Sequence, residues 1–410
     1  MFVPKREARG VTFADIERAR ERIRGAIYVS PCAQSQTLSE MTGARVSLKL
    51  ENLQMTGSFK ERGALNRLLT LTPEERGRGV VAASAGNHAQ ALAYHAHRLG
   101  VTATLVMPTP TPLVKVSATR RHGARVVLSG VNYDEAYAEA RRIEAAEGLT
   151  FVHPFDDADV IAGQGTIGLE LLEQNPYLDV VVTSVGGGGL AGGVACALKE
   201  TNPKIRVVGV EAGAVASMAE ARARGGPVEI PAGATIADGI AVRRVGDVTY
   251  PLVARYVDDI VTVDEEEIAS AILLLLEGEK TVVEGAGAVT LAAIVNRRID
   301  VQGKRVALVL SGGNIDVNVL SRIIERGLVK DGRLLRLRVK VPDRPGNLSR
   351  VTALMGEEGV NILDVSHHRA FANVGLGETE IVLTLETRGV EHVEAIEAAL
   401  LSHGFSFTKG

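Results

Sequence analysis

The chain has 410 residues, more than one ordinary core accommodates, so roughly two to three domains are expected. Its 46 basic and 49 acidic residues leave a formal charge of −3, which supplies no drive toward nucleic-acid phosphate or anionic lipid. The longest purely aliphatic run, 272–276, falls far short of the roughly 20 apolar residues a membrane span needs, and two cysteines, Cys32 and Cys196, exclude a disulfide framework and point to a reducing cytoplasm.

No apolar stretch follows the charged first residues, so a secretory signal is not expected. A helix is predicted after Thr12, with Thr12 and Asp15 as a capping box and Phe13, Ile16, Ala19 and Ile23 at helical spacing. From Val46 onward, short aliphatic runs at 46–50, 80–84, 101–107, 125–128, 150–153, 179–184, 206–210, 259–263 and 305–310 alternate with segments of helical period such as 87–99, 133–146 and 265–277. That regularity predicts an α/β architecture with mostly parallel sheets covered on both faces. The pattern changes near Gly327: residues 327–333 (GLVKDGR) are expected to be a polar link. Strands at 334–341, 362–368 and 378–385, helices at 346–358 and 390–402, and a last strand at FSF follow the ferredoxin-like plan.

Three turns, 84–88 (SAGNH), 186–190 (GGGGL) and 311–314 (SGGN), each fall between a predicted strand and a predicted helix, where free N–H groups face a crevice in an open α/β sheet. Successive glycines let backbone approach an anion, so 186–190 is a candidate phosphate cradle. Two other readings compete. The run could be a tight packing turn, and Gly187, Gly189 and Gly192, with Glu211 about 20 residues on, satisfy a dinucleotide fingerprint. The fingerprint leaves Lys60 unexplained. A lone lysine is usually a solvated charge, yet Lys60 heads a predicted helix beside Arg62, where an ammonium is disfavoured and a free amine suits Schiff-base chemistry. Reactive lysine, phosphate cradle and crevice together suggest an aldehyde cofactor carrying a phosphate.

The segments KLENLQMTGSFKERGA, SAGNHAQ, GGGGLAGG, DGIAV, EGAGA and SGGN, in this order and spacing, resemble the serine/threonine dehydratases, pyridoxal-phosphate enzymes with the tryptophan-synthase β-chain type of fold (fold type II). The tail resembles an ACT domain, with DRPGNL at 343–348 where such domains place an effector loop. The whole resembles a threonine dehydratase (threonine ammonia-lyase) with one C-terminal ACT domain. It implies a catalytic domain over 1–326 with a smaller subdomain near 50–154, a linker at 327–333 and an ACT domain at 334–410.

The resemblance further implies that Lys60 binds pyridoxal 5'-phosphate as a Schiff base and removes the Cα proton. Phe59 would pack on the ring, Asn87 would bond its phenolic oxygen, and Gly186, Gly187, Gly188, Gly189 and Leu190 would bind its phosphate. Ser311 would meet the ring nitrogen as a neutral partner. Gly239 and Glu284 would line the pocket. Ser84, Ala85, Gly86 and His88 would hold the substrate carboxylate, Ser84 also facing the cofactor. β-Elimination of L-threonine would release 2-oxobutanoate and ammonia, and L-serine would give pyruvate. Alternatives are a serine racemase, using Lys60 and Ser84 as opposed bases, and a non-catalytic amino-acid sensor. An effector would bind at Asp343, Gly346, Asn347 and Leu348, with Asn361 from a neighbouring chain, in a homodimer or homotetramer; branched-chain amino acids are the expected class. No nucleic-acid or membrane partner is expected. No metal is expected: relatives with a cation site carry an acidic residue six positions after a carboxylate like Glu211, and here that residue is Ser217. His95 and His97 should point to different sides of a helix, and both cysteines should be core residues.

Overall fold

The computed structural model describes residues 10–369 and 375–410 and divides into two compact units, the first ending at Ile315 and the second beginning at Asp316. The first unit contains two sheets. Six strands lie in the order Cys32–Ser35, Arg45–Leu50, Arg305–Leu310, Val180–Ser184, Arg206–Ala212 and Asp259–Val263. All pairs are parallel except the first. Four parallel strands, Arg125–Leu128, Ala103–Met107, Val80–Ala83 and Thr150–Phe151, form the other sheet.

The predicted aliphatic runs became these strands because a parallel strand covered on both faces has no polar side to mark. Val180–Ser184 and Val80–Ala83 are buried along their whole length. The run at 150–153 is paired as a strand only at Thr150 and Phe151, although the Val152 N–H still reaches Val81 O at 2.9 Å; Pro154, with no N–H, then ends any ladder. Cys32–Ser35 has no apolar pattern and is stitched antiparallel to Val46–Lys49 by tertiary pairing. Ser35 at its end caps the helix Gln36–Thr42, its Oγ accepting the Leu38 N–H at 3.0 Å. Cys196 is buried, whereas Cys32 is partly exposed on this strand. The Thr12–Asp15 capping box opens the helix Phe13–Ile23.

Strand order places the ends of Val180–Ser184 and Arg305–Leu310 side by side, with Val182 opposite Leu308, so the turns that follow them converge. The helix that leaves Val180–Ser184 and the helix that leads into Arg305–Leu310 are apolar all round and buried: Gly189–Leu198 lies within the core, as does Gly285–Ile294.

In the second unit, a four-stranded antiparallel sheet is ordered Asn361–His368, Glu378–Glu386, Leu334–Pro342, Ser406–Lys409, with helices Asn347–Glu357 and Val390–Ser402. Alternation along Leu334–Pro342 buries Leu335, Leu337, Val339 and Val341 against Val351, Leu354, Ile396 and Leu400. The expected link differs from the structure: residues 327–330 are the last turn of the helix Val317–Lys330, and only 331–333 form the turn into the sheet. The Asp331 N–H bonds Gly327 O at 2.9 Å, so Gly327 sits inside the helix rather than breaking it. Among the described residues no helix is long and apolar enough to cross a membrane.

Candidate active site

Lys60 is the first residue of the helix Lys60–Leu69, and Phe59 is its N-cap. The approach to it is pinned by the 311–314 turn. Phe59 N–H donates to Ser311 O at 3.0 Å, Gly313 N–H to Gly57 O at 2.9 Å, and Ser58 pairs with Gly312. Lys60 Nζ donates to the carbonyl of Pro154 at 2.7 Å and lies 5.1 Å from the Phe59 ring centroid. Burial lowers its pKa to about 8, with Glu284 acting in the opposite direction. The downward direction was expected from the neighbouring Arg62, but the cause is different. Arg62 turns into the core and is held by Glu51 (2.7 and 2.8 Å) and Glu170 (2.6 and 2.9 Å).

The turn 84–88 ends at the helix Asn87–Arg98, whose N-cap Gly86 supplies no side chain, leaving its first N–H groups for a ligand. A side chain at Gly86 would meet nothing within 4 Å, so the space before this turn is open. Ser84 Oγ accepts the Gly86 N–H at 3.3 Å. The His88 ring is buried and bonds Val152 O through Nε2 at 3.1 Å, with its pKa lowered to about 3 by burial and then by Lys60, so any part of His88 in holding a carboxylate would fall to its backbone N–H. Asn87 is fixed at both ends of its amide. Its Nδ2 donates to Glu284 Oε1 at 2.7 Å, and its Oδ1 accepts from Asn314 Nδ2 at 2.8 Å. Asn314 also donates to Thr56 O at 2.7 Å. Glu284 is 5% exposed, and burial followed by Asp238 raises its pKa to about 7. A Cβ at Gly239 would stand 3.4 Å from Glu284 Oε1, and one at Gly312 would stand 2.5 Å from the same oxygen. Ser311 is 1% exposed, its Oγ 3.4 Å from that of Ser184.

The glycine run opens the helix Gly189–Thr201, which no side chain caps. The reason for its glycines is partly the packing alternative. A Cβ at Gly187 would overlap the Phe155 ring, one at Gly189 would stand 2.9 Å from Phe155 O, and one at Gly186 would stand 2.9 Å from Ile240 Cα. Gly188, at φ +94°, needs glycine for its backbone conformation. The missing side chains thus admit protein on one side while the N–H groups stay free on the other. Glu211 does not act as a dinucleotide fingerprint requires. Both its oxygens are taken, by the Met218 N–H at 2.7 Å and the Ala219 N–H at 2.8 Å, and burial raises its pKa to about 7. Among the described residues no group of three His, Cys, Asp or Glu side chains is arranged to hold a metal ion.

Sequence reasoning missed the segment 153–157. Pro154 docks Lys60, Phe155 covers the glycine run, and Asp157 caps the helix Ala158–Gln174 and pairs with Arg67 at 3.1 Å. Only Asp157, before a helical period, carried a sequence signal, that of an N-cap. A crevice of about 480 Å³ adjoins the site through Asn314 and Gly57 but is not lined by Lys60. In the second unit, Asp343 accepts from Arg369 Nε at 3.0 Å, Asn347 Nδ2 donates to Pro342 O at 2.8 Å, and Asn361 Nδ2 donates to Glu386 at 2.9 Å. Leu348 is 38% exposed, and Gly346 at φ +92° precedes the helix Asn347–Glu357, which no side chain caps.

A partly buried lysine at the head of a helix, in a unit where two further helices open without a side-chain cap after parallel strands, has counterparts among known proteins. Residues 23–312 match the family of pyridoxal-phosphate dependent enzymes, and residues 335–403 match the ACT domain. An L-threonine ammonia-lyase of Thermotoga maritima is 51% identical over 395 residues, 96% of this chain and 98% of its own length. An L-threonine ammonia-lyase of Geobacter sulfurreducens is 47% identical over 391 residues, 95% of this chain and 97% of its own length. Among solved structures, that of maize serine racemase shares 33% identity at a TM-score of 0.74, covering 78% of this chain and 99% of that one. The match of the first unit over nearly its whole described length, followed by that of the second, shows that the chain belongs to the pyridoxal-phosphate dependent enzymes and carries a C-terminal ACT domain.

Proposed function

We propose that this chain is a threonine ammonia-lyase, converting L-threonine to 2-oxobutanoate and ammonia and L-serine, secondarily, to pyruvate. The observation that carries the reading is Lys60, an amine held by one carbonyl and lowered by burial to a pKa of about 8, in the same unit as two helices that no side chain caps. The donor set fits the cofactor: an amine for its aldehyde, the free N–H groups of 188–190 for its phosphate, and the neutral hydroxyl of Ser311 for its ring nitrogen. Bound there, pyridoxal phosphate supplies an electron-withdrawing ring conjugated to the substrate nitrogen. Lys60, once displaced by substrate, would accept the Cα proton as a neutral amine and hold it as an ammonium. The N–H groups opening Asn87–Arg98 bind the substrate carboxylate. Asn87 spends one Nδ2 hydrogen on Glu284 and keeps the other for the phenolic oxygen. Ser311 cannot ionise as a carboxylate would, which suits prompt loss of the β-hydroxyl. The extensive identity to a protein named L-threonine ammonia-lyase, ACT domain included, supports the same substrate. We further propose that the ACT domain binds an amino-acid effector at 343–348 and that the chain works as a homo-oligomer.

The likeness to serine racemase raises a second reading, in which Ser84 is the opposing base. Among the described residues no basic side chain hydrogen-bonds Ser84 Oγ to take its proton, which favours elimination. The test is formation of 2-oxo acid from L-threonine and L-serine, with chiral analysis of residual serine. Borohydride reduction should fix the cofactor on Lys60, and Lys60→Ala should lose many orders of magnitude in rate. Accumulated D-serine without pyruvate, or an adduct on another lysine, would contradict the proposal.

A further inference from the structure

The loop at 244–249 lies against the glycine run and belongs to none of the residues assigned above. Asp156 holds it. Its Oδ1 accepts the backbone N–H groups of Val248 at 2.8 Å and Thr249 at 3.2 Å, and its Oδ2 accepts that of Asp247 at 3.0 Å. A side chain at Gly246 would overlap the same carboxylate, so the loop seats directly on it. These bonds put an anion at the start of the helix Thr249–Tyr256, where it is electrostatically favoured.

Seated this way, the fully buried Thr249 donates its hydroxyl to Gly187 O at 2.5 Å, closer than its other acceptor, Gly246 O, at 3.3 Å. The Gly246 N–H reaches Gly187 O only at 3.4 Å. The peptide between Gly187 and Gly188 is trans, so its C=O and N–H point in opposite directions. Fixing Gly187 O on Thr249 therefore turns the Gly188 N–H away from the loop. We propose that Asp156 and Thr249 form a positioning relay that aims the Gly188 N–H, and with it the turn opening the helix, at the cofactor phosphate without touching the cofactor. The inference rests on the reading of 186–190 as the phosphate cradle. It also gives the segment 153–157 a single purpose. Pro154 locates the amine that meets the aldehyde, and Asp156, two residues later, locates the groups that meet the phosphate.

Equilibrium titration of the cofactor-free full-length protein tests this, with pyridoxal 5'-phosphate, with pyridoxal lacking the phosphate, and with inorganic phosphate as competitor. Thr249→Val keeps the volume and removes the donor. It should weaken pyridoxal phosphate and inorganic phosphate by about tenfold, the scale of one hydrogen bond, while leaving pyridoxal unchanged. Asp156→Asn should shift the same ratio in the same direction, and Thr249→Ser should restore it. If wild-type protein binds pyridoxal as tightly as its phosphate ester, the cradle itself is misassigned. If wild type prefers the ester and both Thr249→Val and Asp156→Asn keep that preference, or weaken both ligands equally, the cradle stands and the relay is wrong.

Discussion

Lys60 and Glu284 are displaced by burial in opposite directions and arrive within about a unit of each other, near 8 and 7. The consequences for stability follow in sign. Glu284 keeps a proton in the folded chain that the unfolded chain has released, so its contribution is full below its ordinary pKa of 4.5 and is lost as pH rises through about 7. Lys60 is the reverse: the unfolded chain binds the extra proton between about 8 and 10.5, so stability rises with pH across that window. Glu284→Gln removes the first effect. In cofactor-free protein, the variant's stability relative to wild type should grow between pH 4 and pH 8 by up to about 3 kcal/mol, as denaturant melts at several pH values would show. A pH-independent difference would mean that Glu284 has the same pKa in the folded and unfolded chains. At Ser311 the expected change is in chemistry. Ser311→Asp introduces a carboxylate that favours a proton on the ring nitrogen, so 2-oxo acid formation from L-threonine should fall; an undiminished rate would place Ser311 away from that nitrogen.

Three elements, the strand Arg45–Leu50, the lysine helix and the helix Ala158–Gln174, are joined by charge. Lys49, on strand Arg45–Leu50, donates to Glu170 at 2.6 Å, and Arg62, near the start of the lysine helix, grips Glu51 and Glu170 together; Lys49 and Arg62 are almost completely buried. Arg62→Met would leave two buried carboxylates short of a counter-charge, a loss of about 3–5 kcal/mol in denaturant melts. Arg62→Lys should recover little of it, because a single ammonium cannot replace a guanidinium bonding both carboxylates. The network also separates what was legible in the sequence from what was not. Strands such as Val180–Ser184 were readable because two-sided burial demands an aliphatic run, and the lysine helix announced itself through the turn before it. The destination of Arg62 was not readable, since its partners lie 11 and 108 residues away. The strand Cys32–Ser35 was hidden because its order comes from pairing. Asp156 was hidden because its partners are backbone N–H groups more than 90 residues on. The glycine run was visible between a strand and a helix, yet Phe155 and Ile240, which forbid side chains there, could be seen only in the fold.

At the scale of the whole molecule, a catalytic unit ending at Ile315 is followed by a unit with its own apolar core. Such a core needs no catalytic role to be stable, which leaves its surface free for binding. Gly346, at φ +92°, turns the chain into Asn347–Glu357 and leaves the first N–H groups of that helix without a side-chain cap, a fit for the carboxylate of a free amino acid. Asp343, three residues earlier and paired with Arg369 in the structure, would supply a carboxylate for the ammonium end under the proposed effector reading. Coupling between such a site and catalysis amounts to about 1–3 kcal/mol, or roughly 5–150-fold in affinity, and linkage makes it reciprocal. Isoleucine or valine, titrated into the full-length enzyme, should therefore shift the Kd of an unreactive threonine analogue, and that analogue should shift the effector's Kd by the same factor. Gly346→Val, strained at that φ and crowding the helix start, should abolish the response while leaving effector-free turnover unchanged. Kinetics indifferent to every amino acid tested, together with no heat of binding to the full chain, would reduce the ACT domain to a module of assembly.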